Sequence, residues 1–269
     1  MTKRSRKRTP EASLVILCHN DGEYLKGCIA SIMRHTDVPY EIILVNNATT
    51  DGSEKYLRRL ERRANVRVIH NAENRFFAAG NNQGVLAASG RYVILLNADT
   101  VVGPQWLSRL IRCAQRDSRI GLVGPFTNVA VGAQLVARPG YASVKTFPRF
   151  AVAWARRHDA QWKEVHRLIG FCLLVTREVI AQVGLLDERF GPGGYEDYDY
   201  CLRVQQAGYK AALAEDVFVH HYGGKGYQKM DYDGQRRVNR EILARKWSRF
   251  MFYALDDMDE IAAGTGAAR

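Results

Sequence analysis

The sequence predicts one large α/β domain built on a mostly parallel sheet, and three observations lead to this prediction. Short apolar runs alternate with amphipathic segments from residue 13 onward, a pattern typical of strands joined by crossover helices. The chain has 269 residues and is 46% apolar, so it can bury a full core. At residues 91–100, five apolar residues in a row end at Asn97 and Asp99, at the kind of strand end where ligands of open α/β sheets collect.

The first hundred residues are predicted to form four strands and three helices. One helix follows the first strand, with Asp21 as its N-cap, and a second helix opens at Asp51-Gly-Ser-Glu54, which has capping-box spacing. The third helix is short and ends at Gly90, a residue that suits a helix C-terminus. The strands are predicted at residues 13–18, 41–45, 66–69 and 92–96, and the third helix at residues 81–89.

Beyond residue 100 the alternation continues but includes a long insertion. A helix begins near Pro104, which a first helical turn tolerates. Residues 127–168 are interpreted as an insertion that covers the acceptor side of the site as a lid, with an amphipathic helix at 150–165. Further strands are predicted at 120–125 and 171–175, helices at 177–183 and up to about 206, a strand pair ending at 217–221, and a C-terminal amphipathic segment at 234–253 that packs back on the domain.

The charge distribution divides the chain into three parts. Residues 1–11 are predicted to be a disordered basic tail, residues 12–230 the α/β domain, and residues 231–269 a C-terminal helical segment and tail. The net charge of +11 does not indicate nucleic-acid binding, because the basic residues are scattered and no nucleic-acid motif accompanies them. The tail is instead interpreted as a peripheral contact with anionic lipid headgroups.

Cysteine usage and hydropathy suggest where the protein works. The five cysteines are odd in number and include no Cys-x-x-Cys pair, which argues against a disulfide framework and against a structural zinc site. No apolar run approaches the length needed to span a bilayer. We therefore expect a cytoplasmic protein that is peripheral to the inner face of the membrane.

Polar side chains that can bind a metal or a phosphate follow several of the predicted strands. Asn97 and Asp99 point the same way from an extended chain, so both can face one cation. His221 follows the last core strand and is the predicted additional metal ligand, with His220 as the alternative. Taken singly, each feature is also typical of a turn or a helix cap, and only their joint order indicates one site. The other members are Cys18, Asn20 and Asp21 after the first strand, Asn46 after the second, and Glu196 and Asp197 after a glycine-rich loop.

These residues lie in motifs that cover about residues 12–225. The chain resembles an inverting glycosyltransferase of family 2 with the GT-A fold, of the rhamnosyltransferase-like type that builds bacterial cell-surface polysaccharides. The motifs are Val-Ile-Leu-Cys-His-Asn-Asp (15–21), Glu-Ile-Ile-Leu-Val-Asn-Asn-Ala-Thr-Thr-Asp-Gly-Ser (41–53), Asn-Arg-Phe-Phe-Ala-Ala-Gly-Asn-Asn-Gln-Gly (74–84), Leu-Leu-Asn-Ala-Asp-Thr (95–100), Gly-Tyr-Glu-Asp-Tyr-Asp (194–199) and His-Tyr-Gly-Gly (221–224).

The resemblance implies a role for each motif. The end of the first strand would contact the nucleoside, Asn46 would recognise the base, and Asn97-x-Asp99 would stand where the family's DXD motif holds Mn²⁺ or Mg²⁺ and the sugar nucleotide. Asp197 would be the catalytic base, with Glu196 in support. The implied donor contacts are Cys18, Asn20, Asp21, Asn46, Asn74, Asn81, Asn97 and Asp99.

Three departures from the family pattern bear on this interpretation. Asn46 replaces a usual aspartate, Asn97 replaces the first acid of DXD, and Phe76 stands where glycine is frequent. The predicted activity is transfer of a hexosyl or deoxyhexosyl group from a nucleotide-diphosphate sugar to a hydroxyl of a glycan, a lipid-linked acceptor or a protein. A sugar-nucleotide pyrophosphorylase is an alternative, although residues 18–24 hold only Gly22 where such an enzyme needs a glycine-rich loop. A non-catalytic basic binding module is a further alternative.

Overall fold

A mixed sheet of nine strands, flanked by helices on both faces, organises the described part of the chain. The structure is a computed structural model, and it describes residues 9–223 and 232–247. Most of the predicted basic tail and the predicted C-terminal tail lie outside these ranges, so the three-part division of the chain stays a prediction. Within the described ranges, no helix combines the length and apolar character needed to cross a membrane.

The elements alternate as the sequence predicts over the first hundred residues. The strands are β1 (Ala12–Cys18), β2 (Tyr40–Asn47), β3 (Val66–Asn71), β4 (Tyr92–Leu96), β5 (Thr100–Val102), β6 (Ile120–Thr127), β7 (Trp162–Val165), β8 (Cys172–Thr176) and β9 (Lys210–His221). The helices are α1 (Gly22–His35), α2 (Glu54–Leu60), α3 (Phe76–Ala87), α4 (Trp106–Ala114), α5 (Phe147–Arg157), α6 (Arg177–Val183), α7 (Glu196–Gln206) and α8 (Tyr232–Lys246).

The strand order is β3-β2-β1-β4-β8-β6-β9-β5, and β7 pairs with β9 outside this path. Strands β1 to β4 are mutually parallel, and β6 is parallel to β9. Strand β8 runs antiparallel between β4 and β6, while β5 and β7 run antiparallel to β9. The predicted α/β architecture is confirmed. The sheet is mixed, because β6 and β9 run in the same direction as β1 to β4 whereas β5, β7 and β8 run in the opposite direction.

Successive sheet residues face two different helical layers. Leu14, Ile16 and Ile94 pack with residues of α1, α2 and α4 on one face. Val15 and Val93 pack with residues of α3, α6 and α7 on the other. This period of two follows from the pleat of extended chain, and it explains why the strands read as continuous apolar runs. The polar residues that end the strands therefore stand between two covered faces, at one edge of the sheet.

Several predicted boundaries are wrong. Helix α3 begins at Phe76 rather than at residue 81, and the helix of the insertion spans Phe147–Arg157 rather than 150–165. A left-handed residue, Ala160 with φ 58°, turns the chain after this helix, so that Trp162–Val165 pairs with β9 as a strand. The sequence predicts a pair of strands ending at 217–221, but the structure has the single strand β9. The register of its pairing with β6 shifts between Ala214 and Phe218.

Helix α3 packs against β1 with no room at Gly84. A Cβ atom built on Gly84 would overlap Cγ1 of Val15, whereas one built on Gly27 in α1 would meet open space. We expect Gly84→Ala to lower the free energy of unfolding by about 1–3 kcal/mol through overpacking. The matched change Gly27→Ala should raise it by about 0.4–1 kcal/mol. Urea unfolding measures both, and equal effects of the two substitutions would contradict the packing described.

Candidate active site

Strands β5 and β9 bring Asp99 and His221 together. Strand β5 follows Asp99 directly and pairs with the end of β9, so that Thr100 lies opposite His221. The backbone N–H of Tyr222 donates to the carbonyl of Asp99 at 3.0 Å. Nε2 of His221 lies 3.2 Å from Oδ1 of Asp99. The sequence does not predict β5, yet this strand places the two residues predicted to bind a metal beside each other.

The imidazole of His221 is held in one orientation and one tautomer. Its Nδ1 lies 3.1 Å from the carbonyl oxygen of Val129. Because a carbonyl oxygen can only accept, Nδ1 carries a proton, and in the neutral imidazole Nε2 then keeps a lone pair. The ring also stacks on Phe171, with centroids 5.1 Å apart. Nε2 is buried without a hydrogen-bond partner and lies 3.2 Å from Oδ1 of Asp99.

This pair of atoms fits a divalent cation. A carboxylate oxygen and an imidazole lone pair that face each other repel unless a positive charge lies between them. Neighbouring ligands of a six-coordinate Mg²⁺, bound at about 2.1 Å, lie about 3 Å apart, close to the separation found between Asp99 and His221. The described residues contain no group of three or more His, Cys, Asp or Glu that could hold a metal ion. Asp99 and His221 would therefore need ligands from a bound phosphate or from water.

A cavity of about 500 Å³ joins His221 to the acidic cluster. Asn97 and His221 line it on the side of β4 and β9, and Glu196 and Asp197 line it at the start of α7. Asn97 and the acidic pair, which lie about a hundred residues apart in the sequence, thus share one cavity with His221.

Glu196 and Asp197 have different environments although they are adjacent. Asp197 accepts hydrogen bonds from the backbone N–H of Gly170 at 3.0 Å and of Tyr198 at 2.7 Å, which hold its carboxyl group at the cavity. Burial, and then the negative charge of Asp197, raises the pKa of Glu196, whose Oε2 has no hydrogen-bond partner. Glu196 therefore keeps its proton to higher pH than a free carboxyl.

Cys18 and Asn20 end β1 on the predicted nucleoside side. Cys18 is buried, and its thiol donates to the carbonyl of Val45 at 3.4 Å. Burial raises the pKa of this thiol to about 12, so it stays protonated. Asn20 has a left-handed backbone, φ 60°, and its Oδ1 accepts a hydrogen bond from the backbone N–H of Thr50 at 2.7 Å. Asn20 thus ties the loop after β1 to the loop after β2.

The two helix caps predicted in this region do not form. Asp21 precedes α1, but its carboxylate accepts a hydrogen bond from the backbone N–H of His19 at 3.1 Å rather than from the helix. Burial raises the pKa of Asp21 to about 6. Asp51 accepts from Ser53 at 3.0 Å and from Gly22 at 2.9 Å, and so joins the starts of two helices. Both carboxylates thus accept hydrogen bonds from the backbone of the loops that follow β1 and β2.

Asn46 is buried at the end of β2 with its amide already engaged. Its Oδ1 accepts from the backbone N–H of Thr49 at 3.0 Å, and its Nδ2 lies 3.1 Å from Nδ1 of His70. An aspartate, which lacks the amide donor, could not donate to His70. Asn46, which replaces the family's usual aspartate, therefore has a hydrogen-bond partner on β3 that accepts from its amide, His70. Base recognition by Asn46 stays a prediction.

Asn74 belongs to a network of amide side chains that the sequence does not reveal. Nδ2 of Asn47 donates to Oδ1 of Asn74 at 2.6 Å, and Nδ2 of Asn71 donates to Oδ1 of Asn47 at 3.0 Å. Gln83 donates to Asn71 at 3.0 Å, which ties the network to α3. The network fixes the loop between β3 and α3, where the resemblance implies a donor contact.

Phe76 occupies a conformation that favours glycine. Its φ is 62°, which explains why glycine is frequent at this position of the motif, and its side chain is 39% exposed. The predicted donor residue Asn81 is buried one turn further along α3, where its Nδ2 donates to the carbonyl of Phe77 at 2.9 Å. Donor binding by Asn81 stays a prediction.

His220 faces away from the cavity. Its Nδ1 lies 2.5 Å from Oη of Tyr141, and its ring packs edge-on against the ring of Tyr222. Burial lowers the pKa of His220 to about 4. The structure thus sets His221, and not the alternative His220, against Asp99.

Helix α8 holds the loop that carries the acidic cluster. Nδ2 of the buried Asn239 donates to the carbonyls of Phe190 at 2.7 Å, Gly193 at 3.0 Å and Gly194 at 2.9 Å. Asp199 pairs with Arg203, one turn further along α7, at 2.8 Å. Asp199 also pairs with Lys246 at 2.8 Å and accepts from Trp247 at 2.9 Å. The described part of the predicted C-terminal segment, α8 with Trp247, packs on the domain and supports the loop before Glu196.

We expect Asn239→Leu to lower turnover at least about 10-fold, because three carbonyls of the loop before Glu196 lose their donor and the loop shifts. Steady-state kinetics would measure the loss, with nucleotide affinity nearly unchanged. Val238→Asn, at the exposed neighbouring position, is the matched control and should leave turnover unchanged. Normal turnover in Asn239→Leu would show that the loop needs no support from α8.

The fold and this cavity define a GT-A glycosyltransferase, and the comparisons with known proteins agree. Residues 13–184 match the family model described as glycosyl transferase family 2. The chain belongs to glycosyltransferase family 2. The predicted family and the predicted enzyme class are therefore confirmed.

Solved structures of low sequence identity share the fold. A mannosyltransferase from Pyrobaculum calidifontis, in complex with GDP-Man and Mn²⁺, superposes with a TM-score of 0.61 at 19% identity and covers 81% of this chain and 59% of its own. GalNAc-T7 with UDP, GalNAc and Mn²⁺ gives a TM-score of 0.68 at 18% identity, covering 90% of this chain and 48% of its own. These similarities establish the fold alone.

Two curated relatives are named for steps of glycan synthesis. An N-acetylglucosaminyl-diphospho-decaprenol L-rhamnosyltransferase of Mycobacterium tuberculosis is 27% identical over 78% of this chain and 75% of its own length. The O-antigen biosynthesis protein RfbC of Myxococcus xanthus is 28% identical over 79% of this chain but only 17% of its own length. The chain likewise spans 28% of an uncharacterised Sinorhizobium fredii protein that is 26% identical over 91% of this chain.

Proposed function

We propose that this chain transfers a sugar from a nucleotide-diphosphate sugar to an acceptor hydroxyl, with a divalent cation and with inversion at the anomeric carbon. One observation carries the proposal. The buried Nε2 of His221 has no hydrogen-bond partner and faces the carboxylate of Asp99, in a cavity that also contains Asp197. Two atoms that can bind a divalent cation, near a carboxylate that can accept a proton, suit this chemistry.

Asp99 and His221 would hold Mn²⁺ or Mg²⁺, and Asn97 would contact the donor beside them. A bound cation would act as a Lewis acid that stabilises negative charge on the leaving diphosphate. Phe171 and the carbonyl of Val129 keep the imidazole of His221 in the orientation and tautomer that binding requires. Cys18, Asn20, Asp21, Asn46, Asn74 and Asn81 are proposed to surround the nucleoside and the donor sugar.

Asp197 is proposed as the base. Its carboxylate takes the proton from the acceptor hydroxyl, and the oxygen attacks the anomeric carbon from the face opposite the leaving diphosphate. This single displacement inverts the configuration. The N–H groups of Gly170 and Tyr198 hold the carboxylate in place, while the neighbouring Glu196 keeps its proton and donates to the acceptor.

The relatives guide the choice of substrates. Transfer of a hexosyl or deoxyhexosyl group in surface-glycan synthesis is supported by the rhamnosyltransferase and O-antigen relatives. The decaprenol-linked substrate in the name of the mycobacterial relative favours a lipid-linked acceptor over a free glycan or a protein. The basic residues at positions 3–8 would then hold the protein at the cytoplasmic face of a membrane.

A panel of nucleotide sugars screened by thermal shift with Mn²⁺ tests the donor site. A specific donor at about 100 times its Kd adds about 2.7 kcal/mol of stability, which raises the Tm by about 5 °C or more. We expect such a rise for one nucleotide sugar with Mn²⁺ and its loss in excess EDTA. An equal rise in EDTA, or none for any donor, would contradict the proposal.

Product analysis separates the alternatives. A glycosyltransferase releases a nucleoside diphosphate when it transfers the sugar. A pyrophosphorylase would form a nucleoside triphosphate and a sugar phosphate from the same donor and pyrophosphate, and a binding module would release neither product.

A further inference from the structure

Two arginines line the cavity, and the proposed chemistry uses neither of them. Arg167 lies between β7 and β8, and Arg236 lies on α8. The Cζ atoms of their guanidinium groups lie 5.8 Å and 6.0 Å from the centroid of the Tyr195 ring. Two cationic groups from distant parts of the chain therefore lie close to Tyr195, where the start of α7 borders the cavity.

Arg167 has almost no polar contact of its own. Its only ion pair within the described residues joins Nη2 to Oδ1 of Asp197 at 3.9 Å, too long for a hydrogen bond, and its buried Nε has no partner. The nearby Arg203 is different, because it bonds Asp199 at 2.8 Å and the carbonyl of Leu185 at 2.8 Å. The guanidinium of Arg167 lies over the ring of Tyr198, 4.7 Å from its centroid, but its buried Nε has no acceptor. A buried N–H without an acceptor is costly, and an anion from outside the chain would supply one.

We infer that Arg167 and Arg236 bind a diphosphate group on the acceptor, and that this acceptor is a sugar carried on a polyprenyl diphosphate. The inference rests on the proposed function and adds to it the residues that recognise the acceptor's carrier. Guanidinium groups bind phosphate oxygens through paired N–H donors. Arg167 stands beside the base Asp197, which contacts the acceptor, whereas the donor diphosphate belongs with Asp99 and His221.

Exposed apolar residues border the same cavity. Val129 and Val131 line it and are 41% and 43% exposed. Apolar side chains of this kind can pack against a hydrocarbon chain, but they offer no hydrogen bond or charge to a polar sugar. Cationic groups and an apolar border together match the two chemically distinct parts of a polyprenyl diphosphate.

Binding of farnesyl diphosphate to the full chain, followed by isothermal titration calorimetry in EDTA without nucleotide, tests the inference. EDTA removes divalent cations, so the donor site cannot hold the diphosphate through a metal. We expect the double variant Arg167→Gln/Arg236→Gln to bind at least 10-fold more weakly than the wild type. Arg236→Gln alone changes an exposed side chain and should show part of the loss, which guards against misfolding of the double variant.

Two control variants locate the effect. Arg58→Gln removes one positive charge from the exposed face of α2 and should bind like the wild type. Asp99→Asn should also bind like the wild type. The inference is overturned if wild-type protein does not bind farnesyl diphosphate, if the arginine variants bind equally well, or if Asp99→Asn loses as much affinity as they do. Failure of the proposed function has a separate readout, the absence of any Mn²⁺-dependent thermal shift with nucleotide sugars.

Discussion

Replacement of Asp197 by Asn is expected to lower turnover by about 10²-fold or more, the usual loss when a positioned base is removed. Asn keeps the shape of the side chain, and its Oδ1 can still accept one of the two backbone hydrogen bonds that hold Asp197. Because Asp99 and His221 are unchanged, the Kd of the donor with Mn²⁺ should stay the same. Turnover and donor Kd, measured on the same preparation, separate a lost base from a damaged site.

Glu196→Gln is the matched comparison for Asp197→Asn. Burial, and then the negative charge of Asp197, raises the pKa of Glu196, so this carboxyl keeps its proton to higher pH than a free carboxyl. An uncharged amide can take over its role as a donor, and we expect a smaller loss of turnover than in Asp197→Asn. A larger loss in Glu196→Gln, or near-normal turnover in Asp197→Asn, would show that Asp197 is not the base.

Substitution of His221 is expected to abolish most of the effect of Mn²⁺ on donor binding. Loss of a residue that merely supports a metal ligand commonly weakens metal affinity 10–100-fold, so His221→Gln, which removes a ligand, should cost about 10²-fold or more. Calorimetric titration of the donor, with Mn²⁺ and with EDTA, measures the difference. In EDTA the variant and the wild type should bind the donor equally weakly.

The neighbouring histidine offers a control for this experiment. His220 is also buried near the end of β9, but it contacts Tyr141 and faces away from Asp99. We expect His220→Gln to keep the dependence of donor binding on Mn²⁺, with thermal unfolding used to check that the protein is folded. If His220→Gln lost this dependence and His221→Gln kept it, the assignment of the metal ligand would be wrong.

The first half of the fold could be predicted from sequence because each strand and helix there has its own local signal. Strands β1 to β4 read as apolar runs between polar ends, and the helices between them have one apolar face. Strand β5 could not be predicted, since three residues of Thr-Val-Val become a strand only by pairing with β9, more than a hundred residues away. Long-range pairing also explains why Trp162–Val165 is a strand rather than part of a helix.

The sequence indicates the main residues of the candidate site but not the contacts that support them. An oxygen-bearing side chain at a strand end points to Asp99, because such positions meet at one edge of the sheet. Asp197 begins α7 after a glycine-rich loop and is indicated by the family motif that it matches. The tautomer of His221 depends on the carbonyl of Val129, and no sequence pattern encodes that contact. The sequence contains only a weak indication of Asn239. It lies four residues before the apolar Leu243 and so on the same face of an amphipathic helix, where both side chains are buried.

The anomeric configuration of the product, followed by proton NMR during transfer from the identified donor in the presence of Mg²⁺, tests the central claim most directly. A single base in the cavity, beside the proposed site for the leaving diphosphate, predicts a single displacement. The product should therefore form from the start with the anomeric configuration opposite to that of the donor. Retention of the donor's configuration would require a second displacement and would contradict the roles assigned to Asp197, Asp99 and His221.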